Sequence, residues 1–197
     1  MILKESFYQK DTITVARELL GKIIVHESEE GTTTGRIVET EAYRGPEDCA
    51  AHSSGGRRTV RNEVMYEQKG HAYVYFIYGL YYCFNVTAGN APGKPEAVLF
   101  RALEPVAGEE IMAKRRGKQV KAATLTNGPS KLCMAMSISK AQNKADLTTS
   151  PLYIEDASLI PPIDIVETTR VGVDYSGDWK NKPWRFYIRN NRFVSVK

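Results

Sequence analysis

The sequence predicts a single compact α+β domain over residues 1–197, with a mixed, mostly antiparallel, curved β-sheet flanked by helices and a protruding β-hairpin. Three observations predict this fold. A chain of 197 residues with 42% hydrophobic and 25% charged residues can bury roughly 70% of its unfolded surface. Residues 35–43 and 71–85 alternate with the period of two that is typical of strands. No repeat, low-complexity tract or linker divides the chain.

The first part of the chain predicts one helix and one pair of strands. Asp11 or Thr12 can cap a helix that carries a single apolar stripe, and Gly21 is a suitable stop. The apolar run at residues 22–26 is typical of a strand that turns back toward residues 35–43. The helix is therefore expected to be scaffold, and residues 35–43 to be the second arm of a hairpin.

The strand at residues 35–43 (GRIVETEAY) carries the first candidate chemistry. Strict alternation places Ile37, Glu39, Glu41 and Tyr43 on one face. An ionised glutamate can polarise a water molecule or stabilise a developing cation at neutral pH. Because both carboxylates share that face, the pattern alone does not choose between Glu39 and Glu41 as a general base.

The stretch at residues 71–85 (HAYVYFIYGLYYCFN) holds seven of the nineteen aromatic residues of the chain. Alternation on both sides of Tyr78 and Gly79 predicts a hairpin whose tip presents a ring to solvent. A protruding ring can act as a wedge between DNA base steps. Tyr43 and Tyr75 lie on faces that can hold a flat base between them. Three other rings are predicted to pack in the core: Phe76, Tyr82 and Phe84.

The remaining segments complete the predicted sheet and its helices. Residues 44–70 are rich in turns, and a long irregular segment inside a compact domain is often functional. A strand is expected at residues 97–103 and a helix at 109–116. Residues 127–131 open another helix, whose proline suits the first turn. Four short apolar runs are predicted as further strands: residues 152–154, 163–166, 171–173 and 186–188.

Cysteine and histidine patterns bear on metals, cofactors and disulfides. The three cysteines, Cys49, Cys83 and Cys133, are widely spaced and form no CxxC pair, so reduced thiols are expected. Cys49 and His52 resemble half a zinc site, but the other half is missing. The nucleotide-binding glycine motifs are also missing. No metal and no cofactor is therefore expected.

Charge and hydropathy indicate the cellular setting. The net charge of +4 permits a polyanionic partner without requiring one. No apolar run approaches the ~20 residues that span a bilayer, and the N-terminus lacks a signal-peptide core. A cytoplasmic protein is expected, associated with the nucleoid if the source is bacterial. Two basic clusters stand out: Arg57, Arg58 and Arg61, and the run Lys114, Arg115, Arg116, Lys118 and Lys121, which is equally typical of a solvated face.

Four segments, in this order, carry a family resemblance: RIVETEAYRGPEDCAAHSSGGR (36–57), YVYFIYGLYYCFNV (73–86), LFRALEP (99–105) and NGPSKLC (127–133). Together they resemble the alkyladenine DNA glycosylases, also called N-methylpurine-DNA or 3-methyladenine DNA glycosylases. The resemblance implies a base-excision repair enzyme that flips alkylated or deaminated purines out of duplex DNA. Such an enzyme hydrolyses the N-glycosidic bond without a metal or cofactor.

The resemblance also implies catalytic and base-binding residues. Glu41 matches the glutamate that activates the attacking water, which would decide the choice against Glu39. Arg101 matches an arginine that helps to hold this water and the sugar-phosphate. Asn85 matches an asparagine that clashes with the exocyclic amine of guanine. Three residues match those that sandwich or contact the flipped base: Tyr43, His52 and Tyr75.

The remaining implied roles concern DNA. Tyr78 matches the tyrosine that fills the gap left in the duplex, and Leu80 stands beside it where a methionine is common. Arg57 and Lys131 are placed like residues that meet DNA phosphates. No lysine is seen in a Schiff-base role, so a monofunctional enzyme is expected. The expected partner is duplex DNA with a damaged purine, bound by a monomer that uses residues 1–197 as one catalytic domain.

Two other functions are compatible with parts of the pattern. A non-catalytic module can bind single-stranded nucleic acid through stacked tyrosines and basic side chains, but leaves Glu39 and Glu41 without a role. A small-molecule glycoside hydrolase can use two carboxylates about 5–5.5 Å apart on opposite sides of the scissile bond. Because two neighbours on one strand approach from one side only, this hydrolase ranks last.

Overall fold

The computed structural model describes residues 1–117 and 121–196. The helices are α1 (Glu5–Tyr8), α2 (Thr12–Glu18), α3 (Glu109–Arg116) and α4 (Pro129–Ala135). The strands are β1 (Ile23–Ser28), β2 (Gly31–Tyr43), β3 (Ala72–Ile77), β4 (Tyr81–Thr87), β5 (Ala97–Ala107), β6 (Leu152–Glu155), β7 (Ile165–Thr168) and β8 (Arg185–Ile188). Short 3₁₀ helices, among them Ser54–Gly56 and Glu63–Tyr66, punctuate the connections.

One eight-stranded sheet organises these elements. Its order is β3-β4-β5-β2-β1-β6, and β8 pairs with both β2 and β7. The pairings among the described strands are antiparallel, so the predicted α+β fold with a mostly antiparallel sheet is confirmed. Strand β2 is central because β5 pairs along one of its edges, while β1 and then β8 share the other.

Paired irregularities in β2 and β5 change which side chains share a face. Ile37 pairs with Leu103 but Glu39 pairs with Ala102, so β2 has one extra residue there. The next step leaves Arg101 as an extra residue on β5. The prediction that Ile37 shares a face with Glu41 is therefore wrong. Ile37 packs into the main core together with Ala42, because the bulge shifts the alternation by one residue.

Helices α2 and α4 cover the core face of the sheet. Asp11 caps α2, since its carboxylate accepts from the backbone N–H groups of Ile13 and Thr14. The hydroxyl of Thr40 on β2 donates to the carbonyl of Ala16 at 2.7 Å, which fastens α2 to the central strand. Helix α4 begins at Pro129, as expected, and its apolar face is fully buried: Leu132, Ala135 and the adjoining Met136.

The aromatic hairpin forms between β3 and β4, with a three-residue tip of Tyr78, Gly79 and Leu80. Ile77 pairs with Tyr81 across the turn, and both Tyr78 (φ 51°) and Gly79 (φ 67°) adopt left-handed backbone. Tyr78 is 89% exposed. Phe84 is buried, but the prediction of a core position for Phe76 is wrong: its ring is exposed near the tip and packs on Tyr82.

Three further predictions need adjustment. The strand predicted at residues 97–103 continues to Ala107. Only the second half of 163–166 is strand, since Pro162–Asp164 is a 3₁₀ helix. Residues 171–173 lie in a loop and not in a strand. Helix α3 begins and ends where predicted.

The basic run at 114–121 is only partly described, and Lys118 lies outside the described residues. Arg115 donates to the Glu30 carboxylate at 2.7 Å and to the Ala135 carbonyl at 3.0 Å, which ties α3 to its surroundings. Of the helices in the described ranges, none has the length and apolar character that a bilayer crossing needs.

Candidate active site

A cavity of about 360 Å³ opens beside the aromatic hairpin, between the sheet and the loops at residues 50–52 and 171–175. Its walls come from β2, β3, β4 and β5, the strands that carry the resemblance segments. Predicted site residues that line it are Tyr43, His52, Tyr75, Tyr78, Asn85 and Arg101. The fold thus brings together side chains that are up to 58 positions apart in the sequence, from Tyr43 to Arg101.

Glu41 lies directly behind the wall of this cavity and is fully buried. Its Oε2 accepts from the Tyr43 hydroxyl at 2.8 Å, and its Oε1 accepts from the backbone N–H of Val171 at 2.8 Å. Nη1 of Arg101 lies 3.3 Å from the same Oε1. All three partners line the cavity, so the carboxylate is bonded directly to the residues of the cavity wall.

Glu39 has a different environment, although it is also fully buried. Its Oε1 accepts from Arg101 Nε at 3.0 Å and from Arg185 Nη1 at 2.9 Å. Ser195 donates from its hydroxyl to Oε1 at 3.0 Å and from its backbone N–H to Oε2 at 2.7 Å. Buried carboxylates need such compensation. The two glutamates therefore differ in their surroundings: Glu39 is bonded to Arg185 and Ser195 in addition to Arg101, whereas every partner of Glu41 named above lines the cavity.

Arg101 links the two carboxylates because it is the extra residue on β5. Its guanidinium also donates to the Ser195 hydroxyl at 3.2 Å, and only 6% of the residue is exposed. Burial opposes its charge, but the carboxylates of Glu41 and Glu39 outweigh that effect and raise the pKa of Arg101. A permanent cation thus faces the cavity beside Glu41.

Aromatic rings form the opposite part of the cavity. The His52 and Tyr75 rings meet edge to face with centroids 4.6 Å apart, and His52 Nδ1 lies 2.8 Å from the Tyr73 hydroxyl oxygen. Asn85 donates from Nδ2 to the Tyr73 carbonyl at 3.0 Å, which fixes its amide at the wall. Burial and the neighbouring Glu41 carboxylate raise the pKa of Tyr43, so its hydroxyl stays protonated and donates.

The turn-rich segment at 44–70 supports this aromatic wall. Its 3₁₀ helix Glu63–Tyr66 packs Val64 and Met65 against Tyr73. Arg61, from the same segment, places its guanidinium 4.7 Å from the centre of the Tyr75 ring. The segment therefore holds the wall in place in addition to supplying His52.

The backbone at residues 171–175 is the functional element that sequence reasoning missed. Val171 holds Glu41 through a backbone N–H, and Gly172, Val173 and Tyr175 line the cavity. The sequence of residues 171–173 is typical of a short strand, and a backbone N–H donor cannot be recognised from the residue type. The one unusual feature nearby is Arg170, a basic residue directly before this apolar run.

His52 gives the site a testable pH dependence. Part of His52 is exposed to solvent, but the protein around its ring desolvates it, and this effect, together with the nearby Arg61 and Arg57 cations, lowers the pKa of His52 to about 4. Between about pH 6.5 and 4 the unfolded chain binds a proton at this residue and the folded chain does not. The stabilisation from neutral His52 is therefore complete above that window and is lost as the pH falls through it.

We expect the His52→Gln variant to lack this contribution. Free energies of unfolding of both proteins, measured by urea titration at several pH values, should converge as the pH falls from about 6.5 to 4. A constant difference between the two proteins across that window would contradict the assignment.

Four predicted site residues do not line the cavity: Glu41, described above, and Leu80, Arg57 and Lys131. Leu80 is 72% exposed beside Tyr78 at the hairpin tip. Arg57 is exposed at the end of the 3₁₀ helix Ser54–Gly56. Lys131 donates to the Asn127 side chain at 2.8 Å in the first turn of α4, two residues after Pro129, which does line the cavity.

Comparisons with known proteins agree on one family. The model of the methylpurine-DNA glycosylase (MPG) family matches residues 6–192. A Clostridium acetobutylicum protein named "Putative 3-methyladenine DNA glycosylase" is 53% identical, over 100% of this chain and 98% of its own length. A protein of the same name from Desulfitobacterium hafniense is 50% identical over 99% of this chain and 98% of its own length. Another from Methanocella arvoryzae is 49% identical over 100% of this chain and 96% of its own length.

The matched range contains the whole of the cavity together with Glu39 and Glu41. The chain therefore belongs to the methylpurine-DNA glycosylase family, enzymes of DNA repair that hydrolyse the N-glycosyl bonds of alkylated purines.

Proposed function

We propose that residues 1–197 act as one catalytic domain, a monomeric and monofunctional glycosylase that removes alkylated or deaminated purines from duplex DNA. The observation that carries the proposal is the buried Glu41 carboxylate, which is bonded to the wall of an aromatic cavity beside a hairpin with an exposed ring at its tip. The names of the relatives favour 3-methyladenine as the first lesion to test.

The hairpin is suited to opening the duplex. Tyr78 and Leu80 project from the tip, and their backbone is held in a tight turn. A wedge of this kind occupies the space that an extruded base leaves. Extrusion costs a few kcal/mol, and stacking on aromatic side chains returns about 1–3 kcal/mol per base. The wedge and the cavity together therefore offset the cost of flipping.

The cavity is suited to a single flipped base. Its volume of about 360 Å³ is at the small end for ligand sites. In the proposed complex, Tyr43 on one side and Tyr75 with His52 on the other hold the base between them. Asn85, fixed by the Tyr73 carbonyl, opposes the exocyclic amine of guanine.

Glu41 is the proposed general base. Its Oε1 is already shared by Val171 and Arg101, whereas among the described residues Oε2 has only the Tyr43 hydroxyl, so the water enters at Oε2. The water oxygen bonds to C1′ of the deoxyribose, the C1′–N bond breaks, and its electron pair leaves with the purine. The water proton passes to the carboxylate. A methylated purine is already cationic and departs as a neutral base.

Other groups supply the rest of the rate. A general base provides about 10²–10⁴-fold, and positioning and electrostatics contribute beyond that. Arg101 is placed to orient the water and the sugar-phosphate beside Glu41. Of the described residues that line the cavity, none is a lysine, which supports hydrolysis without a Schiff base. Arg57 and Lys131 are the proposed phosphate contacts.

The test is direct. The protein is incubated with separate duplexes that contain 3-methyladenine, 7-methylguanine, hypoxanthine, 1,N⁶-ethenoadenine or no lesion, and the released free bases are separated by chromatography. We expect release of 3-methyladenine, no release from the undamaged duplex, and DNA strands that stay intact. Absence of any released base, with tighter binding to single strands than to damaged duplexes, would instead support the non-catalytic binding module.

A further inference from the structure

Tyr175 is an exposed aromatic residue that the proposed function does not use. Its side chain lines the cavity, yet 71% of the residue is exposed to solvent. An aromatic ring left in water contributes little to folding, and exposed apolar surface at a cavity often marks a binding site.

The position of this ring is fixed. The Tyr175 hydroxyl donates to the carbonyl of Ala50 at 3.1 Å, across the cavity rim. On one side of it in the chain, Val173 is buried. On the other side, buried Ser176 donates from its backbone N–H at 3.0 Å and its hydroxyl at 2.6 Å to the Val173 carbonyl. The ring is therefore held at the solvent-exposed side of the cavity by a hydrogen-bonded turn.

The course of residues 171–175 indicates which part of a flipped nucleotide the Tyr175 ring contacts. The path starts at the Val171 N–H, which holds Glu41, and ends at Tyr175, where the cavity opens to solvent. The bond that Glu41 acts on joins the base to C1′ of the sugar. With the base between Tyr43 and Tyr75, the C1′ atom has to come within reach of Glu41. The sugar attached to it then continues toward the open side of the cavity, where the exposed Tyr175 lies.

We propose that Tyr175 is a binding residue for the flipped nucleotide, and that its ring packs on the deoxyribose rather than on the base. This inference rests on the proposed function. It gives Tyr78 and Tyr175, two exposed tyrosines that line the cavity, different tasks. Tyr78 replaces the base inside the duplex, and Tyr175 packs on the sugar to which that base is attached.

A duplex with a tetrahydrofuran residue separates the two kinds of contact, because this abasic analogue keeps the sugar ring and has no base. For Tyr175→Ala, we expect a dissociation constant about fivefold to tenfold higher on the tetrahydrofuran duplex. In single-turnover release from a 3-methyladenine duplex, the half-saturating protein concentration should rise by a similar factor, with the maximal rate within about twofold of the parent.

Two variants serve as controls. Tyr175→Phe keeps the ring and loses only the bond to Ala50, so it should lose less affinity than Tyr175→Ala. Tyr153→Ala removes a tyrosine on β6, whose hydroxyl bonds Glu27 outside the cavity, and should bind like the parent.

Some results would overturn the inference. An unchanged affinity of Tyr175→Ala for the tetrahydrofuran duplex would do so, and so would an equal loss in Tyr153→Ala. A loss confined to the 3-methyladenine duplex would show that the ring contacts the base instead. Because the tetrahydrofuran duplex has no base to release, these outcomes are independent of the chemistry. Failure of the unchanged protein to release any base would contradict the proposed function itself.

Discussion

The Glu41→Gln variant is expected to release 3-methyladenine about 10²–10⁴-fold more slowly than the parent protein, with nearly unchanged affinity for the damaged duplex. The amide has the shape of the carboxylate and can still accept from the Val171 N–H. It cannot take a proton from water. Single-turnover release with the protein in excess measures the chemical step, and titration of a tetrahydrofuran duplex measures binding.

Glu155→Gln is the matched control, because it makes the same change at a partly exposed position on β6. It should leave both quantities at the parent values. If Glu41→Gln releases base near the parent rate, Glu41 is not the general base. If the variant also loses affinity for the tetrahydrofuran duplex in proportion, the carboxylate acts in binding and not in the chemical step.

Removal of the guanidinium in Arg170→Leu is expected to cost about 3–5 kcal/mol of the free energy of unfolding. Arg170 and Asp48 are fully buried side chains joined by two bonds of 2.6 Å and 2.9 Å. Without Arg170, the partners left to the Asp48 carboxylate within the described part of the chain are the backbone N–H groups of Arg44 and Ala50. Two backbone donors do not replace a cation for a buried charge.

Urea unfolding of the full chain measures this loss, with two comparisons. The double variant Asp48→Leu with Arg170→Leu removes both charges and should recover much of the stability. Arg17→Leu breaks the pair between Arg17 and Glu167, which are 45% and 41% exposed, and should cost about 0–1 kcal/mol. Equal losses in Arg17→Leu and Arg170→Leu would contradict the dependence on burial.

Much of the site was predictable because it depends on local patterns. The alternation of β2 placed Glu41 beside Tyr43, and these side chains are hydrogen-bonded at 2.8 Å. The turn chemistry around Gly79 predicted the exposed Tyr78. Helix α3 was predictable to the residue because two glycines at positive φ bracket it, Gly108 in left-handed backbone and Gly117 in a more extended conformation.

The remainder depends on contacts between distant parts of the chain. The partners that saturate Glu39 include Ser195, 156 positions away, and no local pattern announces them. The register shifts between β2 and β5 turn Ile37 into the core and bring Arg101 between the glutamates, and the residue types at these positions do not predict them. Val171 contacts Glu41 through its backbone N–H, which every residue except proline has. The local pattern leaves the two glutamates equivalent, and the proposal of Glu41 as the base depends on the family resemblance and on the different partners of the two side chains.

The compensation of Glu39 by Arg185 and Ser195 also affects the order of events during synthesis. Glu39 and Arg101 leave the ribosome long before residues 185 and 195 do. Until those residues arrive, burial of Glu39 in the centre of the sheet lacks two of its three partners. The growing chain can still collapse and form its local hairpins during this time, because these do not depend on the partners of Glu39. The charged centre beside the cavity closes only when the last strand and the segment after it have been translated.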